Sequence, residues 1–290
     1  MKRNKLIRPG LKGVHVLFFL QLAFTIGCTP EPLESVFAGP ADSVENPSPL
    51  PPTVPSIPAK HLVFKSSFEE SNSLSDLYLE GATSQSITRS KEQARTGSYS
   101  ARFILNKTDK IVGGSKRSEA LLEWVETPRF ERWYGMSIFL PASYVPDPAE
   151  EQLFQWHAIS SVDLDGRSMV NSPMAMYTKY GRWVFSAKFG GDFDLGAYDR
   201  NAWTDWVIHV KFSHESDGIL EIWKNGKLVV QRFDRTNFRD LKGNFFKIGV
   251  YKYAWAEDYQ STTTNRTLYY DNVKIGAENA SYSDVAPSAD

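Results

Sequence analysis

Residues 245–255, which read FFKIGVYKYAW, alternate apolar and polar side chains with the period of a β-strand. Successive side chains of a strand point to opposite faces of the sheet. The residues expected to face a core are Phe246, Ile248 and Val250. The residues expected on the other face are Lys247, Tyr251 and Tyr253. Gly249 lies among these outward residues, and the lack of a side chain there predicts open space above the strand. The stretch therefore predicts a groove floor that carries one cation and several phenols.

Short alternating runs of the same kind occur throughout residues 60–279, and turn residues separate them. Residues 206–212 alternate in this way, and Asn225-Gly226 between two such runs is a strong β-hairpin signal. No segment sustains a helical period. The pattern predicts an all-β domain over residues 60–279, with two antiparallel sheets packed as a sandwich or jelly roll. One concave sheet face of such a domain would form the substrate groove.

The two ends of the chain have a different composition from the domain. Residues 1–27 combine a basic head with an apolar run and resemble a bacterial lipoprotein signal peptide that ends before Cys28. Cys28 is the single cysteine, so no intrachain disulfide is expected, and a lipid anchor is the predicted role. An ordinary secretory signal cleaved elsewhere is the alternative. Residues 28–59 are rich in Pro and Ser and predict a disordered tether, and residues 280–290 predict a flexible tail.

The net charge of the chain and its predicted signal peptide limit the partners that it can have. Removal of residues 1–27 takes away five basic residues and no acidic ones, which leaves 28 basic and 34 acidic residues. This balance argues against a nucleic-acid partner, and an acidic polymer would need a local basic groove. We expect a monomer in the bacterial cell envelope, lipid-anchored at the outer membrane or in the periplasm, or alternatively secreted. Membrane contact is expected only through the lipid anchor.

Two further strand segments carry polar residues on one face. Arg117 and Glu119 in RSEALLEW are two residues apart and share a face, as do Gln155 and His157 in FQWHAI. Either pair alone is ordinary on a strand. Together with Lys247 and Tyr251 they predict one sheet face that presents guanidinium, amide, imidazole, ammonium and phenol groups.

The ordered motifs RSE, QWH and FKIGVY, followed by YYDNVKIG, resemble polysaccharide lyases of the heparin-lyase-I-like group. They are also similar in motif order to jelly-roll alginate and glucuronan lyases. The resemblance covers residues 64–276. It implies a concanavalin-like β-jelly roll and an acidic polysaccharide as substrate. It also implies β-elimination in a uronic-acid polymer such as glucuronan, alginate or a heparin-like chain.

This chemistry must neutralise a uronate carboxylate, remove the C5 proton and protonate the leaving O4. Arg117 and Gln155 are the candidates for holding the carboxylate. An imidazole has an ordinary pKa near 6.5 and a phenol one near 10, so the first is a base at neutral pH and the second an acid. His157 is therefore the candidate base or carboxylate neutraliser. Tyr251 is the candidate acid, or both acid and base, and both residues should reach one sugar unit.

The remaining polar residues are assigned to substrate binding. Glu119 should orient Arg117, and Lys247 should bind substrate or tune the phenol. The predicted extension of the groove consists of Tyr253, Lys188 and Arg182. No cofactor is required, and no catalytic metal is expected, although acidic residues at 68–70 and 192–194 could ligate a structural Ca²⁺.

Two other functions share the same sandwich. A non-catalytic carbohydrate-binding module would explain the strands and the aromatic residues, but it would not need a matched base and acid. A glycoside hydrolase would need two carboxylates across the scissile bond.

Overall fold

Alternating side chains give this chain an almost purely β architecture, as predicted. The computed structural model describes residues 61–169, 172–257 and 259–287. The predicted signal peptide, Cys28 and the tether lie outside the described residues. The first eight strands are β1 (Leu62–Ser66), β2 (Tyr78–Glu80), β3 (Ile87–Ser90), β4 (Ser100–Asn106), β5 (Arg117–Trp124), β6 (Phe130–Leu140), β7 (Glu151–Ala158) and β8 (Met174–Lys179). The others are β9 (Arg182–Ala187), β10 (Gly191–Ala197), β11 (Ala202–Phe212), β12 (Ile219–Lys224), β13 (Lys227–Phe233), β14 (Asn244–Tyr251) and β15 (Asn265–Gly276).

The strands form two antiparallel sheets. Sheet A runs in the order β13-β12-β11-β6-β15-β4-β3, and β1 adds to β15. Sheet B runs in the order β10-β9-β8-β7-β14-β5-β2. Neighbours in space are therefore often distant in sequence, and β14 lies between β5 and β7. The three segments with outward polar residues are thus adjacent strands of sheet B.

The inward faces of the two sheets form one hydrophobic core. Phe246, Ile248 and Val250 of β14 are buried in it, as the alternation predicted. On β7, Phe154 and Trp156 point into the same core. The alternate residues of these strands are left on the outer face of sheet B, where they are free to form a site.

Gly249 does not leave the open space that the sequence predicted. Its φ is +136°, and a Cβ there would collide with the carbonyl oxygen of Ser118 and lie 2.8 Å from the Cα of Glu119. The glycine is needed because β14 bulges next to the backbone of β5. The groove floor is therefore built by the neighbouring side chains.

The prediction of a flexible tail is wrong for residues 280–287. Helix α1 (Tyr282–Val285) packs its end against sheet A, and Val285 is fully buried. A Cβ on Gly135 of β6 would collide with the carbonyl oxygen of Val285, so the tail lies directly on the strand. Residues 288–290 lie outside the described residues. In the part of the chain that the structure describes, no helix is long and apolar enough to cross a membrane.

Candidate active site

A cavity of about 1010 Å³ lies over the outer face of sheet B. It contains the predicted residues Arg117, Gln155, His157, Lys247 and Tyr251 in its lining. The other lining residues are Glu80, Gly113, Pro148, Ala149, Glu150, Gln152, Ser172, Tyr177, Lys179, Tyr180, Phe245, Tyr253, Ala254, Tyr259 and Gln260. The structure therefore brings the three sequence motifs to one place.

The strand register arranges part of this lining as a row across four strands. Tyr251 of β14 lies opposite Arg117 of β5 on one side and opposite Gln152 of β7 on the other. Gln152 in turn lies opposite Tyr177 of β8. We call these four residues the tyrosine row. It places the Tyr251 phenol between a guanidinium and a carboxamide.

Arg117 is the permanent cation of the tyrosine row. Its Cζ lies 4.8 Å from the centroid of the Tyr251 ring. Its Nη2 donates to the carbonyl oxygen of Gly113 at 3.0 Å. Its Nη1 lies 3.3 Å from Glu119 Oε2 and 3.6 Å from Glu80 Oε1. These two ion pairs are long for direct guanidinium contacts, so a substrate carboxylate could compete for the same group.

Two carboxylates and two cations lie on the floor of the cavity beside the Tyr251 phenol. Lys247 forms an ion pair with Glu80, and its Nζ lies 3.9 Å from Glu119 Oε2. Glu119 is 2% exposed, and burial raises its pKa, while the nearby Lys247 and Arg117 act in the opposite direction. We call Glu80, Arg117, Glu119 and Lys247 the cavity network. Its formal charges cancel.

A hydrogen-bond chain connects this network to the amides of β7. Gln155 Nε2 donates to Glu119 Oε1 at 2.5 Å. Gln155 Oε1 accepts from Ser172 Oγ at 2.6 Å and from Gln152 Nε2 at 3.3 Å. Gln155 is therefore held in one orientation, and the amide of Gln152 is tied to it and to Ser172 Oγ at 3.4 Å.

His157 lines the same cavity, but it lies farther along β7. It is opposite Phe245, stacks on that ring at a centroid distance of 5.0 Å, and its Nδ1 lies 2.8 Å from the carbonyl oxygen of Ala158. His157 lies five positions along β7 from Gln152, which is opposite Tyr251. At about 3.3 Å per residue this is roughly 16 Å along the strand. Both side chains line the same cavity, so the expectation that His157 and Tyr251 reach a single sugar unit stays a prediction.

Other phenols line the cavity beside Tyr251. Tyr177 is half-buried, and burial together with the charges of Glu150 and Asp192 raises its pKa, so it keeps its proton. Tyr253 lines the cavity and is 45% exposed, but it belongs to the 3₁₀ helix Tyr253–Trp255 and does not continue β14. Tyr180 lies at the rim and is exposed.

Two of the predicted groove residues lie elsewhere. Arg182 on β9 pairs with Asp194 at 2.8 Å and is not part of the cavity lining. Lys188 follows β9, is exposed, and is also absent from the lining. β9 pairs with β8, so it is the first strand beyond the tyrosine row.

The acidic segments proposed for Ca²⁺ have other partners. Glu69 Oε1 accepts the backbone N–H groups of Ser98 and Tyr99, and Asp194 pairs with Arg182. Within the described residues, no group of three or more His, Cys, Asp or Glu side chains is arranged to hold a metal ion.

Sequence reasoning missed Gln152 and Glu80. Strict alternation gives Gln152 the same face as Phe154, but a register shift between Gln152 and Phe154 returns Gln152 to the face of Gln155. Glu80 ends the three-residue strand β2, which is too short to show a pattern. No sequence pattern marks Glu80. Its place in the site follows from strand pairing, because Glu80 lies opposite Glu119.

A second ionic cluster lies behind the cavity and is closed to solvent. It consists of Asp147, Glu151, Lys252 and Arg266, which are 0–2% exposed. Lys252 Nζ lies 2.7 Å from Glu151 Oε1, and Arg266 Nε donates to the same oxygen at 2.5 Å. Asp147 Oδ2 lies 3.6 Å from Lys252 Nζ. We call these four residues the sealed network. It directly flanks the site, since Glu151 precedes Gln152 and Lys252 follows Tyr251.

Solved structures of low sequence identity share this fold. The endo-β-1,4-glucuronan lyase of the fungus Trichoderma reesei superposes with a TM-score of 0.63 at 18% identity, over 73% of this chain and 94% of that one. An alginate lyase from Pseudomonas aeruginosa gives a TM-score of 0.51 at 16% identity, over 70% and 99% of the two chains. These likenesses show the jelly-roll sandwich. No curated protein matches the sequence.

The family is shown by the sequence itself. The polysaccharide lyase family model matches residues 65–274, which includes every strand from β2 to β14, the end of β1 and most of β15. The narrower heparin-lyase-I-like assignment stays a prediction. The protein, whose tyrosine row and cavity network lie within the matched segment, belongs to the polysaccharide lyase family and is a polysaccharide lyase.

Proposed function

We propose that this lyase cleaves an unsulfated uronic-acid polymer by β-elimination in the tyrosine row, with a β-1,4-glucuronan as the first candidate substrate and alginate as the second. The observation that carries the proposal is the position of the Tyr251 phenol between Arg117 and Gln152. The similar glucuronan lyase and alginate lyase support the choice of polymers.

The first requirement of the reaction is to neutralise the uronate carboxylate next to C5. Arg117 can offer two parallel N–H groups to it, and Gln152 can add an amide N–H from the other side of Tyr251. Such donors stabilise the charge that develops on the carboxylate when the C5 proton leaves. Because the ion pairs of Arg117 with Glu119 and Glu80 are long, a substrate carboxylate can take their place.

The second requirement is a base and an acid. In the proposed step, the deprotonated Tyr251 oxygen accepts the C5 proton, the C5–H electrons form the C4–C5 double bond, and the C4–O4 bond breaks. The departing O4 then takes the proton that Tyr251 holds. One phenol serves both roles where the proton and the leaving group lie on the same side of the sugar. His157 then binds substrate farther along the groove.

The charges of the cavity favour a polymer without sulfate groups. Lys247 pairs with Glu80, Lys179 pairs with Glu150 at 3.3 Å, and Arg117 lies between Glu80 and Glu119. The cations that line the cavity are thus balanced by carboxylates. A densely sulfated, heparin-like chain would bring more negative charge than this surface can compensate.

The test is a substrate panel of glucuronan, alginate and heparin, read by the ultraviolet absorbance of the unsaturated product. We expect wild type to give this product from glucuronan, and Tyr251→Phe to give none. Tyr282→Phe is the matched control, since this phenol lies on α1 against sheet A, and it should keep full activity. Binding without cleavage would favour a carbohydrate-binding module. New reducing ends without the unsaturated product would favour hydrolysis and overturn elimination.

A further inference from the structure

The tyrosine row depends on two irregularities that face each other in sheet B. On β7 the register shifts between Gln152 and Phe154, and on β14 it shifts between Ile248 and Tyr251. A bulge of this kind adds an unpaired residue and turns the following side chain to the other face. Without the two bulges, regular alternation would give Gln152 the core-facing side of Phe154.

Bulges also leave backbone carbonyl groups without their usual partner across the strands. The hydroxyl of Tyr270 reaches both irregularities. It donates to the carbonyl oxygen of Leu153, and the carbonyl oxygen of Gly249 lies 3.3 Å from the same hydroxyl oxygen. One side chain therefore contacts the bulge of β7 and the bulge of β14 together.

Tyr270 is well placed to hold these strands because it is itself fixed. It lies on β15 of sheet A, is fully buried, and crosses the core to sheet B. Its ring packs edge-on against Phe103 at a centroid distance of 5.3 Å. Burial raises the pKa of Tyr270 well above its ordinary value, so the hydroxyl keeps the proton that it donates.

We propose that Tyr270 is a positioning residue for the tyrosine row: its hydroxyl fixes the paired bulges that bring Gln152 and Tyr251 side by side. The inference rests on the proposed function, because it assigns the consequence of this contact to elimination. It predicts that loss of one buried hydroxyl, which no substrate can touch, lowers the rate of the chemical step.

The test compares Tyr270→Phe with Tyr134→Phe. Tyr134 is also a fully buried tyrosine of sheet A whose hydroxyl reaches sheet B, where it donates to Glu123 Oε2 at 2.9 Å, beside a different register shift, between Phe246 and Lys247. Both variants remove one hydroxyl and no core carbon atoms. We expect kcat on glucuronan to fall about 10- to 100-fold in Tyr270→Phe, as for a small misplacement of reacting groups. KM should change much less, and Tyr134→Phe should keep the wild-type kcat.

A double-mutant cycle separates positioning from a general structural effect. In a Gln152→Ala background, Tyr270→Phe should cost less in kcat than it does in wild type, because the two changes act on one element. Equal kcat values for Tyr270→Phe and Tyr134→Phe, or additive effects in the cycle, would overturn the positioning role.

Tyr251→Phe, measured in parallel, distinguishes the two failures. If Tyr251→Phe is inactive while Tyr270→Phe matches Tyr134→Phe, only the positioning role fails. If Tyr251→Phe turns over glucuronan at the wild-type rate, the proposed catalytic role fails, and the positioning role fails with it.

Discussion

The cavity network and the sealed network contain the same charges, two carboxylates and two cations, and their lysines, Lys247 and Lys252, are five positions apart in the chain. Side chains of the cavity network are 3–13% exposed and border a cavity of about 1010 Å³. Side chains of the sealed network are 0–1% exposed. Exposure to the cavity decides what each network can bind. A substrate carboxylate can enter the first network, whereas the second can only hold the strand ends that bear Gln152 and Tyr251.

The largest expected difference is in stability. Lys252→Met leaves Glu151 with a buried charge that has lost one partner, and we expect the free energy of unfolding to fall by about 3–5 kcal/mol. Lys247→Met leaves Glu80 next to a cavity that water can enter, so the expected loss is about 1–2 kcal/mol. Urea unfolding of both variants measures the two values. Equal losses would show that the two networks do not differ in solvation.

The second expected difference is in catalysis, where the cavity network should matter more than the sealed network. Arg117→Ala removes the cation beside Tyr251, and kcat/KM on glucuronan should fall by about 10²–10³, as for loss of a charge-stabilising donor. Its effect on urea unfolding should be small. An unchanged kcat/KM in Arg117→Ala would remove the cavity network from the reaction.

Another buried carboxylate, Asp271 on β15, extends the comparison to pH. Its Oδ2 accepts the backbone N–H groups of Arg95 and Thr96, and burial raises its pKa from 3.8 to about 6. Between these two pH values the folded chain binds more protons than the unfolded chain, so stability falls as the pH rises through this window. Asp271→Asn should remove roughly 2–3 kcal/mol of this decrease. Urea unfolding from pH 4 to 6 measures the slope, and an unchanged slope would contradict the assignment.

The smallest expected effect concerns the residue that the bulge of β7 turns into the cavity. Gln152→Ala removes one neutral hydrogen-bond donor, and kcat/KM should fall by about tenfold. Gln231→Ala is the matched control, because this amide bonds Glu221 at 2.8 Å at the edge of sheet A. If both variants keep the wild-type rate, Gln152 is not part of the tyrosine row's chemistry.

The fold and the gathering of the motifs could be predicted because they depend on alternation, which is local. Phe246 and Ile248 are buried, while Arg117, Lys247 and Tyr251 line one cavity, as two-residue spacing requires. The all-β sandwich and the polysaccharide lyase family were likewise within reach of the sequence, since strand patterns and motif order survive large sequence divergence.

The remaining features depend on contacts between distant segments. Gln152 and the misjudged open space at Gly249 are consequences of bulges, which break the period that the prediction used. Lys252 and Arg266 have the sequence character of surface residues, and only the fold shows that they are buried together. Val285 ends helix α1 within a short polar segment. It packs on β6 because Gly135 has no side chain to keep it away.

The central claim is that the Tyr251 phenol transfers the proton in elimination and is not needed for binding. The most direct test measures, for Tyr251→Phe, both the affinity for glucuronan by calorimetry and the rate of unsaturated-product formation in a single turnover. We expect an affinity within a few fold of wild type and a rate lower by about 10²–10⁴. A variant that binds normally and still eliminates at more than about a tenth of the wild-type rate would contradict the role of Tyr251 in proton transfer.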